Sequence, residues 1–419
     1  MPDAVIVAAA RTPIGRAYKG SLASMRPDDL AARAVEAALA QIPSLDPSTI
    51  DDVMLGCGSP GGEQGFNLAR VVTVLLGLDQ VPGTTVTRYC ASSLQTTRMA
   101  MHAIRAGEGH VFVSAGVECV SRARLGTSDN PPAEPGADPR DRSRNPWRNP
   151  VFGGALARTG ERGAGGAAAW EDPRADVELP DVYIAMGQTA ENVAQVREVS
   201  RRDQDEFGVR SQNLAENAIA DGFWAREIIP VTLPDGTVVS ADDGPRPGVT
   251  YAAVAQLPPV FRPDGTVTAG NCCPLNDGAA ALVVMSDVRA RELGLTPLAR
   301  IVATGVSALS PEVMGLGPVE ATRRALTLAR MSIGDIDLVE INEAFAAQVL
   351  ASQRELGIDL GRLNVNGGAI AVGHPFGMTG ARIATTLINS LQTHDKQFGL
   401  ETMCVGGGQG MAMILERLS

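Results

Sequence analysis

Apolar and polar positions along this chain follow two alternating rhythms. The run "AVIVAAA" from Ala4 is continuously apolar, as in a strand covered on both faces. "PDDLAARAVEAALAQI" has helical spacing, with Pro27 near its first turn and Asp28 and Asp29 where negative charge suits a helix N-terminus. "IDDVMLGCG" again reads as a strand, "FNLARVVTVLLGL" as a helix and "HVFVSAGVE" as a strand. Strands alternating with helices predict an α/β layered fold.

The second half repeats the order. "ARIVATGVSA" echoes the first strand, "VEATRRALTLARM" the first long helix, and "IGDIDLVEINEAFAA" the stretch around "STIDDVMLGCGSP". "LNVNGGAIAVGHPFGMTGARIATTLINSL" then stands where "TTVTRYCASSLQTTRMAMHAI" stands in the first half, and "LETMCVGGGQGMAMILE" closes the repeat. Repeated order implies a duplicated domain with a pseudo-two-fold axis. The predicted division is a first core over 1–119, completed by 276–296 through "NDGAAALVVMS", an inserted loop or lid domain over 120–275, and a second core over 297–419. Within the insert, residues 121–180 are rich in Pro, Gly and Arg with little periodicity, and they predict loop. Six arginines between Arg122 and Arg148 could hold phosphates or simply decorate a solvated flap.

Composition narrows the function. The chain has 419 residues, 44% hydrophobic, enough for two or three domains with cores, and a net charge of −11 argues against nucleic-acid or anionic-membrane partners. Only Lys19 and Lys396 are lysines, so an anionic ligand would need a local arginine cluster. Six cysteines include no C-x-x-C pair, and the four histidines stand at no zinc-like spacing, so no metal is expected. Cys272 and Cys273 are adjacent, either a redox pair or two small buried residues. The opening "MPDAVIVAAARTPIG" reads as strand and turn and not as a signal peptide, and a reducing cytoplasm fits free thiols.

One thiol sits at a seam. Residues 84–104 begin β-branched and alternating and turn helical from Leu94, with Cys90 at the handover. A helix N-terminus supplies up to about 2 kcal/mol to a thiolate, enough to bring a free cysteine from about 8.5 to about 7. Cys90 could equally be a small buried hydrophobe. A strong nucleophile wants a base, and His374 lies in the Gly-rich stretch predicted to be the matching strand-to-helix turn of the second repeat. A pseudo-two-fold brings the two seams together at the carboxyl edge of the strands. "MCVGGGQG" adds Cys404 at a strand end with backbone N–H groups left open at Gly406, Gly407 and Gly408, and "INEAFA" adds Asn342 and Glu343.

These stretches resemble the thiolase family: "CAS" at Cys90, "NEAF" at 342–345, "GGAIAVGHPFGMTGAR" at 367–382 and "CVGGGQG" at 404–410, with "ARTPIG", "GFNLAR", "MGQTAENVA" and "NDGAAAL" extending the match over nearly the whole chain. The resemblance implies a duplicated αβαβα layered fold with an inserted lid. It also implies reversible thiolysis and Claisen condensation of 3-ketoacyl-CoA, as in an acetyl-CoA C-acetyltransferase or a 3-ketoacyl-CoA thiolase, with a place in fatty-acid and lipid metabolism. Cys90 would be the acylated nucleophile, His374 its activator and Cys404 the acid/base. Oxyanion holes would come from His374 with an Asn342-held water, and from the backbone N–H groups of Cys90 and Gly406. Acyl-CoA and CoA would be substrates with no further cofactor, and the assembly a homodimer or homotetramer.

Departures from the family pattern are Thr87 for Asn and Ser93 for Gly, both expected to repack without loss of activity. Ala185 precedes Met186 in place of His, and Cys273, followed by Pro274, replaces a CoA-contacting Ser. Met314 and Phe345 match residues that narrow the pocket in short-chain members. Two other classes share the fold: non-catalytic thiolase-like proteins that bind acyl-CoA or lipid and lack catalytic residues, and ketoacyl synthases that lack the second cysteine. All four catalytic side chains stand in this sequence.

Overall fold

A computed structural model describes residues 1–125, 145 and 147–419. The elements, in chain order, are β1 (Ala4–Arg11), α1 (Pro27–Ala40), β2 (Asp52–Cys57), α2 (Leu68–Leu75), β3 (Gly83–Val86), α3 (Ser92–Ala106) and β4 (Val111–Cys119). The insert carries α4 (Gly153–Gly163), α5 (Met186–Val196) and α6 (Arg201–Ala220). Then come β5 (Asn276–Ser286), β6 (Ala299–Ala308), α7 (Gly317–Ala329), β7 (Leu338–Ile341), α8 (Ala346–Leu356), α9 (Thr379–Thr393), β8 (Phe398–Val405) and β9 (Gln409–Arg417).

The strands join in the order β7-β8-β9-β6-β1-β5-β4-β2-β3. At the middle, β1 and β6 run antiparallel through Val5–Arg300 and Ile6–Ala299. Outward from that seam each half repeats the same plan: antiparallel neighbours first, then parallel ones. Alternation along the strands separates the layers. Ala280, Leu282 and Val284 of β5 pack with α3 and α9, and Ala279, Ala281, Val283 and Met285 face α1. In the other half Met411, Met413 and Leu415 of β9 face the α3/α9 pair while Ala412 and Ile414 face α7 and α8. Five layers result, αβαβα, with α3 and α9 in the middle.

The duplication is incomplete at the site. Where the first half has β3, the second makes a single parallel bridge, Val339–Leu363, followed by a helical turn at Ala369–Val372. The strand predicted before His374 is therefore absent. Asn364, at φ +45°, turns the chain away, and its side chain replaces the ladder: Oδ1 accepts from Ile341 N–H and Nδ2 donates to Ile341 O, both at 2.9 Å.

In the insert, the loop predicted for 121–180 contains α4, whose glycines mask it in sequence; Arg158 ties it to Glu178 at 2.6 Å. Of the six arginines, Arg122 pairs with Glu63 at 2.5 Å and Arg148 lies over the Tyr183 ring. Arg140, Arg142, Arg144 and the side chain of Arg124 lie outside the described residues.

Asn364→Ala would strand the Ile341 N–H and C=O beside Asn342, at about 1–3 kcal/mol for each buried group. The melting temperature is expected to fall clearly; an unchanged value would show that the substitute ladder contributes nothing.

Candidate active site

Cys90 is reached through a bent approach. After β3 the chain passes Tyr89 at φ +44° and makes a 3-10 turn over Tyr89–Ala91 before entering α3. Such a φ costs an aromatic residue of order 1–3 kcal/mol unless its surroundings hold it. Ser92 does so, its Oγ accepting from Arg88 N–H (2.9 Å) and donating to Tyr89 O (2.6 Å). The backbone N–H groups of Gly406 and of Cys90 itself are directed at the Cys90 sulfur.

Those donors favour a thiolate, but burial outweighs them and, with Glu118 nearby, pushes the thiol up to about 12. The expectation of a thiol lowered by the helix terminus is thus corrected. Desolvating a thiolate in a closed cavity costs more than the helix end returns.

His374 sits in the turn before α9 and is fully buried. Gly373 before it has φ +111°, and a Cβ there would fall 2.7 Å from the Asn276 side chain that receives the His374 N–H at 2.9 Å. Nδ1 lies 2.6 Å from Thr379 Oγ1, which donates its own hydrogen to Pro375 O at 2.7 Å. Thr379 can then only accept, so Nδ1 carries the imidazole proton and Nε2 presents its lone pair. Asn342 Nδ2 stands 3.3 Å from that nitrogen. Burial, then the Arg382 charge, hold the imidazole down to about 3, so it is neutral at pH 7.

Cys404 closes the cavity from the end of β8, its thiol raised by burial and then by Cys90. Cys273 interacts electrostatically with both Cys90 and Cys404, so three sulfurs share one space. Gly407 and Gly408, at φ +74° and +77°, shape the loop that presents Gly406. Met314, Phe345, Met186 and Cys273 pack with Cys404, Ala190, Val267 and Phe261 as an apolar wall. Of the residues named from sequence, the structure therefore groups Cys90, Cys404, Gly406 and Cys273, sets Asn342 against His374, and packs Met186, Met314, Phe345 and Cys273 around Cys404.

The two substituted positions keep partners. Thr87 Oγ1 donates to Gly58 O at 3.1 Å, and Ser93 Oγ accepts from Ala381 N–H at 3.0 Å. Sequence reading missed Thr379, Asn276 and Glu118. The Glu118 carboxylate, raised by burial, accepts from Gly58 N (2.7 Å), Ser59 N (3.2 Å), Gln64 Nε2 (2.8 Å) and Gly377 N (2.9 Å), so one side chain ties the floor beneath Cys90 to the turn carrying His374. A glutamate inside the otherwise apolar "VFVSAGVE" was the available signal.

A buried thiol, a neutral imidazole and converging backbone N–H groups on a duplicated α/β scaffold define a site suited to cysteine-based acyl transfer. The chain matches the thiolase N-terminal domain over residues 4–288 and the thiolase C-terminal domain over residues 295–417. It belongs to the thiolase family, and it is a thiolase-type acyltransferase. It is 43% identical to the 3-oxoadipyl-CoA/3-oxo-5,6-dehydrosuberyl-CoA thiolase of Escherichia coli K12, with 100% of both chains covered. To the 3-ketoacyl-CoA thiolase of Bacillus subtilis it is 41% identical, over 99% of this chain and 100% of that one. Among solved structures it resembles Bacillus anthracis acetyl-CoA acetyltransferase, with TM-score 0.83, 38% identity, and 100% and 99% of the two chains covered. Human mitochondrial 3-ketoacyl-CoA thiolase follows at TM-score 0.82 and 34% identity, with 99% of each chain covered. Relatives that bind without turnover are not the favoured comparison.

With the thiol raised to about 12 and the imidazole lowered to about 3, both are neutral between those limits, and the thiolate fraction grows as pH rises toward the upper one. Alkylation of Cys90 by iodoacetamide, followed by mass spectrometry, should climb about tenfold per pH unit across the neutral range. A plateau beginning near neutral pH would instead reveal a resting thiolate–imidazolium pair. Thr379→Val removes the acceptor that fixes the tautomer, and kcat is expected to fall about tenfold or more.

Proposed function

We propose that the protein catalyses thiolysis of 3-ketoacyl-CoA by CoA, and the reverse condensation, through an acyl-thioester on Cys90. The observation that carries this reading is the Thr379-fixed tautomer of a buried, neutral His374, which leaves Nε2 with its lone pair beside Asn342. In thiolysis His374 Nε2 takes the Cys90 proton as the sulfur attacks the keto carbon, and the resulting N–H becomes a donor. Collapse of the adduct breaks the carbon–carbon bond, and the Cys404 thiol protonates the departing enolate carbon to give acetyl-CoA. CoA then gives its proton to the Cys404 thiolate and attacks the acyl group, and Cys90 recovers its proton from His374. Atoms and charge balance with side chains alone, so the proposal needs no metal or further cofactor, CoA thioesters being substrates.

The Gly406 and Cys90 N–H groups, both aimed at the Cys90 sulfur, would donate to the oxyanion formed on the Cys90 acyl group, and His374 Nε2–H with Asn342 to the enolate oxygen. The raised thiol of Cys404 suits this role, because a high-energy thiolate is a stronger base toward a weakly acidic α-proton.

The wall beside Cys404 is built of Met186, Met314, Phe345, Phe261, Ala190 and Val267, and none of these carries charge. This favours a short apolar acyl group, and with it a place in fatty-acid breakdown or synthesis. A second reading, a dicarboxylic 3-ketoacyl-CoA, is favoured by the names of the E. coli and Pseudomonas relatives, which include β-ketoadipyl-CoA thiolases at 41–43% identity. All six cysteines are free, which supports a reducing cytoplasmic setting, and no helix of the described residues is long and apolar enough to cross a membrane. We also infer a homodimer or homotetramer. Strand β3 ends the sheet, and beside it Phe66 is 96% exposed, with Val74 and Leu75 half exposed on α2.

Steady-state thiolysis over a ladder of 3-oxobutanoyl-, 3-oxohexanoyl- and 3-oxoadipyl-CoA should rank the apolar substrates first; preference for the dicarboxylate would select the second reading. Cys90→Ser should abolish turnover with the fold intact. Cys404→Ala should leave Cys90 open to alkylation while stopping exchange of acetyl-CoA α-protons into deuterated water, and undiminished exchange would reject Cys404 as the base. Sedimentation should give a dimer or tetramer that Val74→Lys shifts toward monomer.

A further inference from the structure

Arg88 stands two residues before the nucleophile, and its guanidinium reaches across the duplication. Nη1 donates to Gln409 Oε1 at 2.7 Å and Nε donates to Gln95 Oε1 at 3.1 Å. No carboxylate among the described residues is paired with it. Gln409 is the first residue of β9 and closes the loop that begins at Cys404; its Nε2 donates back to Gly406 O at 3.4 Å. The loop between is built on Gly407 and Gly408 at positive φ, a backbone with no side chains of its own to hold it. Tyr89 covers it from the other side: a Cβ on Gly406 would meet the Tyr89 ring at 3.3 Å, and one on Gly407 at 3.7 Å.

We propose that Arg88 is a positioning residue for the oxyanion hole, using its bond to Gln409 and the Tyr89 ring to hold the Gly406 N–H on the Cys90 sulfur. The two N–H groups of that hole come from opposite halves of the chain, Cys90 from the first and Gly406 from the second. Their alignment needs a link between the two loops, and Arg88–Gln409 is a direct one. A guanidinium bonded to neutral amides also leaves its positive charge beside the loop where negative charge develops on the acyl oxygen.

This rests on the acyl-enzyme reading above, and two measurements separate them. Alkylation of Cys90 by iodoacetamide requires the nucleophile but no oxyanion, whereas thiolysis requires both. Arg88→Met and Gln409→Met are each expected to lower kcat about 10- to 100-fold, to leave KM within about twofold of wild type, to slow alkylation by a clearly smaller factor than kcat because the Gly406 N–H also favours the Cys90 thiolate, and to combine non-additively, the double variant being no slower than the slower single one. Arg88→Lys, which keeps charge and one donor with less risk to folding, should fall between. An active wild type whose Arg88→Lys and Gln409→Met variants keep full kcat overturns the proposal. So does a double variant in which the two losses multiply, or an alkylation rate that falls in step with kcat, since that marks damage to Cys90 itself. A wild type with no thiolysis at all overturns the acyl-enzyme reading instead.

Discussion

Helices α3 and α9 begin at the two turns that carry Cys90 and His374 and run side by side between the sheets, and the closeness of that packing fixes where those two turns lie. It is achieved with small residues. A Cβ on Gly380 would lie 2.4 Å from Leu94 N, and one on Gly116 would lie 2.1 Å from Gly377 O. Gly56 makes equivalent room for Ser92 and Ser93. Interiors packed at crystal-like density transmit such contacts rigidly, so a methyl group at one of these points moves a catalytic turn. Ser93, bonded to Ala381 N–H, adds a directional link where packing alone would allow sliding.

Buried carboxylates then pin the loops that the helices aim. Glu118 gathers four N–H donors from three segments, and Glu343 accepts from Ser211 Oγ at 2.6 Å, Asn364 Nδ2 at 2.8 Å and Ile370 N–H at 3.1 Å. A buried carboxylate is costly unless its oxygens are satisfied, and here the satisfaction comes from loop backbone and amides that would otherwise be orphaned in the interior. The cost of burial and the cost of ordering glycine-rich loops are offset by the same bonds.

Much of this was legible in the sequence because periodicity survives duplication. β1, α1, β2 and β4 fall on the apolar runs that predict them, and β6, α7, β7 and β8 fall on the echoes. The candidate catalytic residues were legible because thiols and imidazoles are few and stand at element ends. What periodicity could not show was a position where side-chain chemistry replaces backbone pairing. Asn364 takes over a strand's hydrogen bonds with one amide, so the run before His374 looks extended and is not. The Thr379 contact that sets the imidazole tautomer, and the Glu118 contacts that span residues 58 to 377, are long-range or rotamer-dependent, and local pattern carries no trace of either. The thiol's upward shift was hidden for a related reason: a helix N-terminus is visible in sequence, but the closure that desolvates it is not.

That closure also explains how a site with so little charge can handle charged intermediates. Beneath His374 the Arg382 guanidinium is buried with Nε and Nη1 unpartnered, near Glu340, whose carboxyl is pushed up to about 8 by burial. After burial itself, its positive charge disfavours an imidazolium. A resting ion pair would have to be desolvated before substrate arrived, whereas a neutral thiol and imidazole carry no such cost. In the proposed reaction, charge would be created only once a thioester or ketone carbonyl can receive it, with the Gly406 and Cys90 N–H groups already oriented at the sulfur. An interaction made in the transition state and absent from the ground state lowers the barrier in full. Under the proposed mechanism, holding both groups neutral until that moment is therefore not a weakness of the nucleophile; it is how burial of the site would be turned into rate.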